Sequence, residues 1–173
     1  CWFTFLYFGH DINLVSVLDG GLKKWKLENR QLSTEKVSLV ETNYKARAKR
    51  DLIINFNQVE DNIKEKKFCL VDARGEKRFK GLVEEPRKNL KKGNVKGSKN
   101  LPFLKIINPE DNTFKKKEEL KNIFLNHDIK LNEKLAFSCG SGITACVLGL
   151  ASTIISNKLP VIYDGSWAEY GLK

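Results

Sequence analysis

The chain contains no methionine, only two histidines, and no pair of cysteines at the C-x-x-C spacing among its four. The four cysteines, Cys1, Cys69, Cys139 and Cys146, match neither a zinc ribbon nor a small secreted disulfide framework, so we expect free thiols in a reducing compartment and no metal site. No apolar run approaches the roughly 20 residues of a membrane-spanning helix, and no membrane partner is expected. The apolar opening, Cys1 to Phe8, lacks a basic segment before it and a small-residue cleavage site after it. It reads as a buried element rather than a signal peptide. With no initiator methionine, we read the chain as a piece of a longer protein.

What is present is an ordinary globular composition: 173 residues, 41% hydrophobic, 30% charged, room for one full domain and a little more. The net charge of +10 is carried mostly by lysines scattered along the chain, and only Lys45 to Arg50 is dense. No zinc-finger, basic-zipper or RNP signature accompanies it, so the lysines read as solvated helix faces and no nucleic-acid partner is expected. A basic surface can still steer small anions to a site.

One internal echo stands out. Val15 to Trp25 (VSVLDGGLKKW) and Val161 to Tyr170 (VIYDGSWAEY) each run from apolar residues into Asp-Gly, a small residue, a large apolar residue and then an aromatic. The spacing suggests two copies of one domain end. We therefore expect residues 1–30 to be the C-terminal remnant of a first domain, 31–50 an inter-domain linker, and 51–173 a second domain. In that domain, strands at Phe68–Val71, Leu135–Ser138 and Val161–Tyr163 alternate with helices starting at an Asn57/Glu60 capping box and covering Glu118–Asn126 and Ile143–Ser156. The alternation predicts an α/β fold, a parallel sheet with helices on both faces, and ligands beyond the carboxyl ends of the strands.

The stretch Leu135 to Ala145 (LAFSCGSGITA) is the most informative. A strand enters a glycine-rich loop that opens a helix. Amides at a helix start have no intrahelical partner, and glycines let them face inward, so an anion at the centre is stabilised. If that anion is the Cys139 sulfur, it is a nucleophile. A small buried cysteine in a tight turn is the plain alternative. Cys146 lies in the apolar helix and reads as packing. A tyrosine-phosphatase-type loop needs Arg six residues after its cysteine, and position 145 is Ala. A thioredoxin-type site needs C-x-x-C. Sulfur transfer needs only a nucleophilic thiolate and a donor cradle.

CGSGITA resembles the active-site loop of the 3-mercaptopyruvate sulfurtransferases of the two-domain rhodanese superfamily. VDARGEKRFKG (Val71 to Gly81), EEPR (Glu84 to Arg87), GNVKGSKNLPF (Gly93 to Phe103) and YDGSWAEYG (Tyr163 to Gly171) are similar to that family's other motifs in order. FGH (Phe8 to His10) and VSVLDGGLKKW resemble the end of its first domain. The departures are Val83, Asn94 and Lys96, all in a connecting region.

The resemblance implies a rhodanese-like parallel sheet preceded by the tail of an upstream rhodanese-like domain. It also implies that Cys139 takes sulfur from 3-mercaptopyruvate as a persulfide, releases pyruvate and passes the sulfur to a thiol, thioredoxin or cyanide, without a cofactor. Ser141 is implied in proton handling, and Arg74, Gly140, Gly142, Ile143 and Thr144 in substrate binding. Arg74 is assigned there to the substrate carboxylate, its alternative being a structural ion pair with Asp72 or Glu76. Arg78 and Arg87 are secondary candidates that read as structural, and neither His10 nor His127 is placed to serve Cys139. Thiosulfate-preferring relatives carry Arg and Lys just after the cysteine. Here those positions are the neutral Gly140 and Ser141, which suits the less charged mercaptopyruvate. A thiosulfate:cyanide sulfurtransferase and a non-catalytic rhodanese-like binding module are the alternatives. A cytoplasmic or mitochondrial location is expected.

Overall fold

The computed structural model describes residues 1–173. Five short strands, β1 (Ile53–Ile54), β2 (Cys69–Asp72), β3 (Lys99–Asn100), β4 (Leu135–Ser138) and β5 (Val161–Tyr163), form one sheet in the order β1-β5-β4-β2-β3. Every pairing is parallel. The central strands are apolar on both sides, as a sheet covered on two faces requires. Successive residues point to opposite faces and join two separate cores. Val71, Phe137 and Ile162 pack on one face with Leu120 and Phe124 of α5 (Lys117–Asn126) and Ala145 and Leu148 of α6 (Ile143–Ser156). Leu70, Ala136 and Tyr163 pack on the other with Val59 of α3 (Phe56–Glu65) and Trp167 of α7 (Ser166–Tyr170). The α/β class, the parallel sheet and the helices on both faces are as expected.

The start of α3 differs from expectation. Its N-cap is Asn55, whose side chain accepts from the Gln58 amide while the Gln58 side chain accepts from the Asn55 amide. The predicted box at Asn57 and Glu60 is two residues too late. Apolar residues at N′ and N4 decide between the overlapping motifs. Ile54 and Val59 flank the Asn55 cap and share a core, whereas a cap at Asn57 would place Asp61 at N4.

Before the sheet, α1 (Trp2–Tyr7) buries Phe3 and Leu6, as the reading of the opening as a buried element expects. Residues 31–49 have no regular structure and lead to a 3-10 turn at Arg50–Leu52. The echo has a structural counterpart. Asp19-Gly20-Gly21 opens α2 (Gly21–Leu27), Asp164-Gly165-Ser166 opens α7, and the third residue of each has a left-handed backbone, φ 54° at Gly21 and φ 50° at Ser166. A short helix α4 (Glu76–Phe79) follows β2. No helix is long and apolar enough to cross a membrane.

Candidate active site

The loop Cys139 to Gly142 joins the carboxyl end of β4 to α6, where a parallel sheet presents its ligands. Gly142 caps α6 with φ +83°, and a Cβ there would stand 3.2 Å from the Asp164 carbonyl oxygen, so backbone conformation and space both call for glycine. The sulfur of Cys139 accepts a hydrogen bond from the Ser141 amide at 3.4 Å. Ser141 meets the sulfur through its main chain. The amides of Gly140, Gly142, Ile143, Thr144 and Ala145 take no acceptor within the protein. One donor therefore serves the thiol itself, fewer than the expected ring. The others, at the start of a 14-residue helix, remain for a second anion.

Cys139 is only 2% exposed and borders the larger core, so it lies at the floor of the loop rather than on its surface. Its neighbours are held from behind by the closing motif. The Cys139 amide donates to Ser166 Oγ at 3.1 Å, and Ser166 Oγ donates to the Tyr163 carbonyl at 2.8 Å. The Cys139 carbonyl accepts from the Trp167 amide, and the Gly140 carbonyl from the Ala168 amide. Ser166, fully buried with a left-handed backbone, is a positioning residue that sequence reasoning missed. Its one sequence signal is the small residue between Asp-Gly and Trp in the echo.

The expected substrate role of Arg74 needs correction. Its side chain is 1% exposed. Nε and Nη2 donate to the Asp72 carboxylate, Nη1 to Glu85 at 2.8 Å, and Nη2 also to the Gly93 carbonyl at 2.8 Å. The guanidinium lies 4.2 Å from the Trp167 ring centroid. Asp72 is itself buried at the end of β2, and a buried carboxylate without a cation is costly, so Arg74 turns inward. The cations that reach the loop are Arg78 and Arg87. Arg78 Nη2 lies 3.1 Å from the position a Cβ on Gly140 would take, and Arg87 Nη1 donates to the Gly140 carbonyl at 3.0 Å. Of the remaining candidates, Thr144 is half-buried in the first turn of α6 and Ile143 is exposed. Ala145 is fully buried at the position where a phosphatase would carry its arginine.

All four cysteines are free thiols. Burial, with smaller contributions from Cys139 and Asp164, pushes the Cys146 thiol up to about 11, so it is a neutral packing group whose S–H faces the Gly142 carbonyl. A cavity of about 690 Å³ lies at the opposite end of the sheet around Lys66, Cys69, Lys96 and Lys134. Burial raises the Cys69 thiol there. That end is the amino end of β2 and β4, whereas a parallel sheet presents its ligands at the carboxyl ends, so Cys139 is the candidate for the chemistry. Beside the loop, an apolar groove of about 560 Å³ runs between Ile143, Cys146 and Val147 of α6 and Trp2, Phe3 and Leu18.

Comparison with known proteins gives the family of the fold. Residues 55–173 match the family model of the rhodanese-like domain. The chain is 33% identical to human 3-mercaptopyruvate sulfurtransferase over 99% of its own length and 57% of that protein's. It is 36% identical to rat thiosulfate sulfurtransferase, over 98% of this chain and 56% of the rat protein. It thus spans little more than half the length of these relatives. Among solved structures it superposes on SseA from Escherichia coli, described as a 3-mercaptopyruvate sulfotransferase with the rhodanese fold, with a TM-score of 0.81 and 29% identity over 96% of this chain and 60% of that one. With its parallel sheet and its cysteine loop between strand and helix, the chain belongs to the rhodanese-like domain family.

Proposed function

We propose that the protein of which this chain is part is a sulfurtransferase that carries sulfur on Cys139, with 3-mercaptopyruvate as donor. The observation that carries the reading is the loop itself: a thiol at its floor touched by one amide, five further amides without acceptors, and arginines at its rim. The donor's carboxylate pairs with Arg78 and Arg87, whose guanidinium groups supply bidentate donors. The Cys139 thiolate attacks the donor sulfur, an S–S bond forms and the donor's C–S bond breaks. The electron pair leaves as the enolate of pyruvate, which takes a proton to become pyruvate. The outer sulfur of the persulfide then lies in reach of the free amides of Gly142, Ile143 and Thr144. A thiol, reduced thioredoxin or cyanide attacks that sulfur and restores the Cys139 thiolate. Ser141 orients the sulfur through its amide, and its hydroxyl is our candidate for moving a proton.

Thiosulfate is the second donor to consider, because thiosulfate sulfurtransferases are among the relatives. The neutral Gly140 and Ser141 favour the donor of lower charge. We read residues 1–30 as the remnant of a first rhodanese-like domain, 31–50 as a linker and 51–173 as the catalytic domain, and the protein as cytoplasmic or mitochondrial. The test is release of pyruvate and sulfide from 3-mercaptopyruvate with a thiol acceptor, in the full-length protein and its Cys139→Ser variant. The variant should lose at least about a thousandfold in kcat, as loss of a nucleophile does elsewhere. Equal turnover in the two proteins would refute the reading.

A further inference from the structure

We propose that Glu85 is a positioning and specificity-determining residue: from inside the protein it fixes the guanidinium of Arg78 beside Gly140 and neutralises it, so that the loop accepts a donor with one negative charge over a donor with two. The inference rests on the sulfurtransferase reading and goes beyond it, because Glu85 touches neither Cys139 nor the loop.

The carboxylate of Glu85 is 1% exposed although it sits in a surface segment after α4. It accepts from Arg74 Nη1 through one oxygen and from Arg78 Nη2 through the other, with Arg78 Nε 3.2–3.3 Å from both. A buried carboxylate held by two guanidinium groups is a fixed anchor, not a solvated surface charge. Each arginine leads to the cysteine loop by a different route. Arg74 stacks over Trp167, whose amide holds the Cys139 carbonyl. Arg78, with a side chain still 29% exposed, reaches Gly140 from the open side. Glu85 ties the two routes together.

The charges follow the same geometry. Asp72 balances Arg74 and Glu85 balances Arg78, which leaves Arg87 as the unpaired cation at the Gly140 carbonyl. The exposed Asp164 stands at the far end of the loop, beside Gly142. The single uncompensated positive charge at the Gly140 end, with Asp164 at the other end, suits a single carboxylate. Thiosulfate, a dianion without a planar carboxylate, gains little from an arginine already paired behind. Removing the Glu85 charge frees that of Arg78, and the resulting Coulomb gain is larger for the dianion.

The experiment compares wild type, Glu85→Gln and Glu85→Asp as full-length proteins. Two readouts are taken: the ratio of kcat/KM for thiosulfate to that for 3-mercaptopyruvate, and the ratio of dissociation constants for pyruvate and sulfate by calorimetry. Glu85→Gln should raise the thiosulfate preference about tenfold, chiefly through KM, and strengthen sulfate relative to pyruvate by a similar factor. Glu85→Asp, which keeps the charge, should return both ratios to within about twofold of wild type. Equal loss for both donors, or the same ratios in the Gln and Asp variants, would overturn the proposal in favour of a purely structural carboxylate. If Glu85→Gln does not fold, the Asp variant and Arg78→Gln decide. Asp must keep the wild-type ratios, while Arg78→Gln must weaken pyruvate at least about tenfold, and failure of either overturns the proposal. If wild type turns over neither donor, the functional reading fails, while the anion-binding ratios still judge Glu85.

Discussion

Arg74 and Arg78 stand four residues apart, carry the same charge and have different work. Arg74 is spent on Asp72, Glu85, the Gly93 carbonyl and the face of Trp167. Arg78 shares Glu85 but keeps part of its guanidinium at the loop. Breaking a buried ion network by removing one partner leaves the other charge stranded, a loss of about 3–5 kcal/mol. Arg74→Ala should therefore lower the unfolding free energy by that order in a guanidinium titration. A loss below about 1 kcal/mol, the surface-pair range, would contradict the placement. The sequence could not separate these arginines, because what decides between them lies far along the chain: Trp167 on the last helix, against which Arg74 stacks, and Gly140 in the cysteine loop, which Arg78 reaches. The loop around Cys139, as a strand-to-helix turn, was legible for the opposite reason. Loop, strand and helix are contiguous, and the two glycines that shape the turn flank Ser141.

At the level of elements, strands and helices with strong apolar patterns were readable: β4, β5 and α6 fall where periodicity places them. The start of α3 was not, because Asn55-x-x-Gln58 and Asn57-x-x-Glu60 overlap and both satisfy the capping rule. The choice falls to tertiary packing, where Ile54 and Val59 enter one core and Phe56 at the first helical position meets Tyr170 with ring centroids 5.5 Å apart. Asn55→Ala should cost about 1 kcal/mol, the usual value of an N-cap, with sulfur transfer unchanged. Asn57→Ala, at an exposed position inside the helix, should cost almost nothing in the same melts. A larger loss from Asn57 than from Asn55 would restore the original reading of that helix.

Across the whole molecule, the fold class follows from strand–helix alternation, but the strand order β1-β5-β4-β2-β3 does not. It depends on pairings such as Ile53 with Ile162, contacts between the two ends of the domain. That same order makes the site. It sets β5 beside β4, so that α7, which follows β5, brings Ser166 and Trp167 behind the cysteine loop, while β2 on the other flank of β4 delivers Arg74 and, through α4, Arg78. The two Asp-Gly turns share a left-handed third residue but not a setting. The first is preceded by Val17 and Leu18, exposed outside the sheet, and the second by buried Ile162 and Tyr163 within it.

The account stands on Cys139 as the sulfur carrier. The most direct test is peptide mass spectrometry of the full-length protein after brief exposure to 3-mercaptopyruvate without an acceptor, followed by alkylation. One added sulfur atom on the peptide containing Cys139, absent from those containing Cys1, Cys69 and Cys146 and lost on adding a thiol, is the predicted result. An unmodified Cys139, or sulfur carried by Cys146 instead, would contradict it.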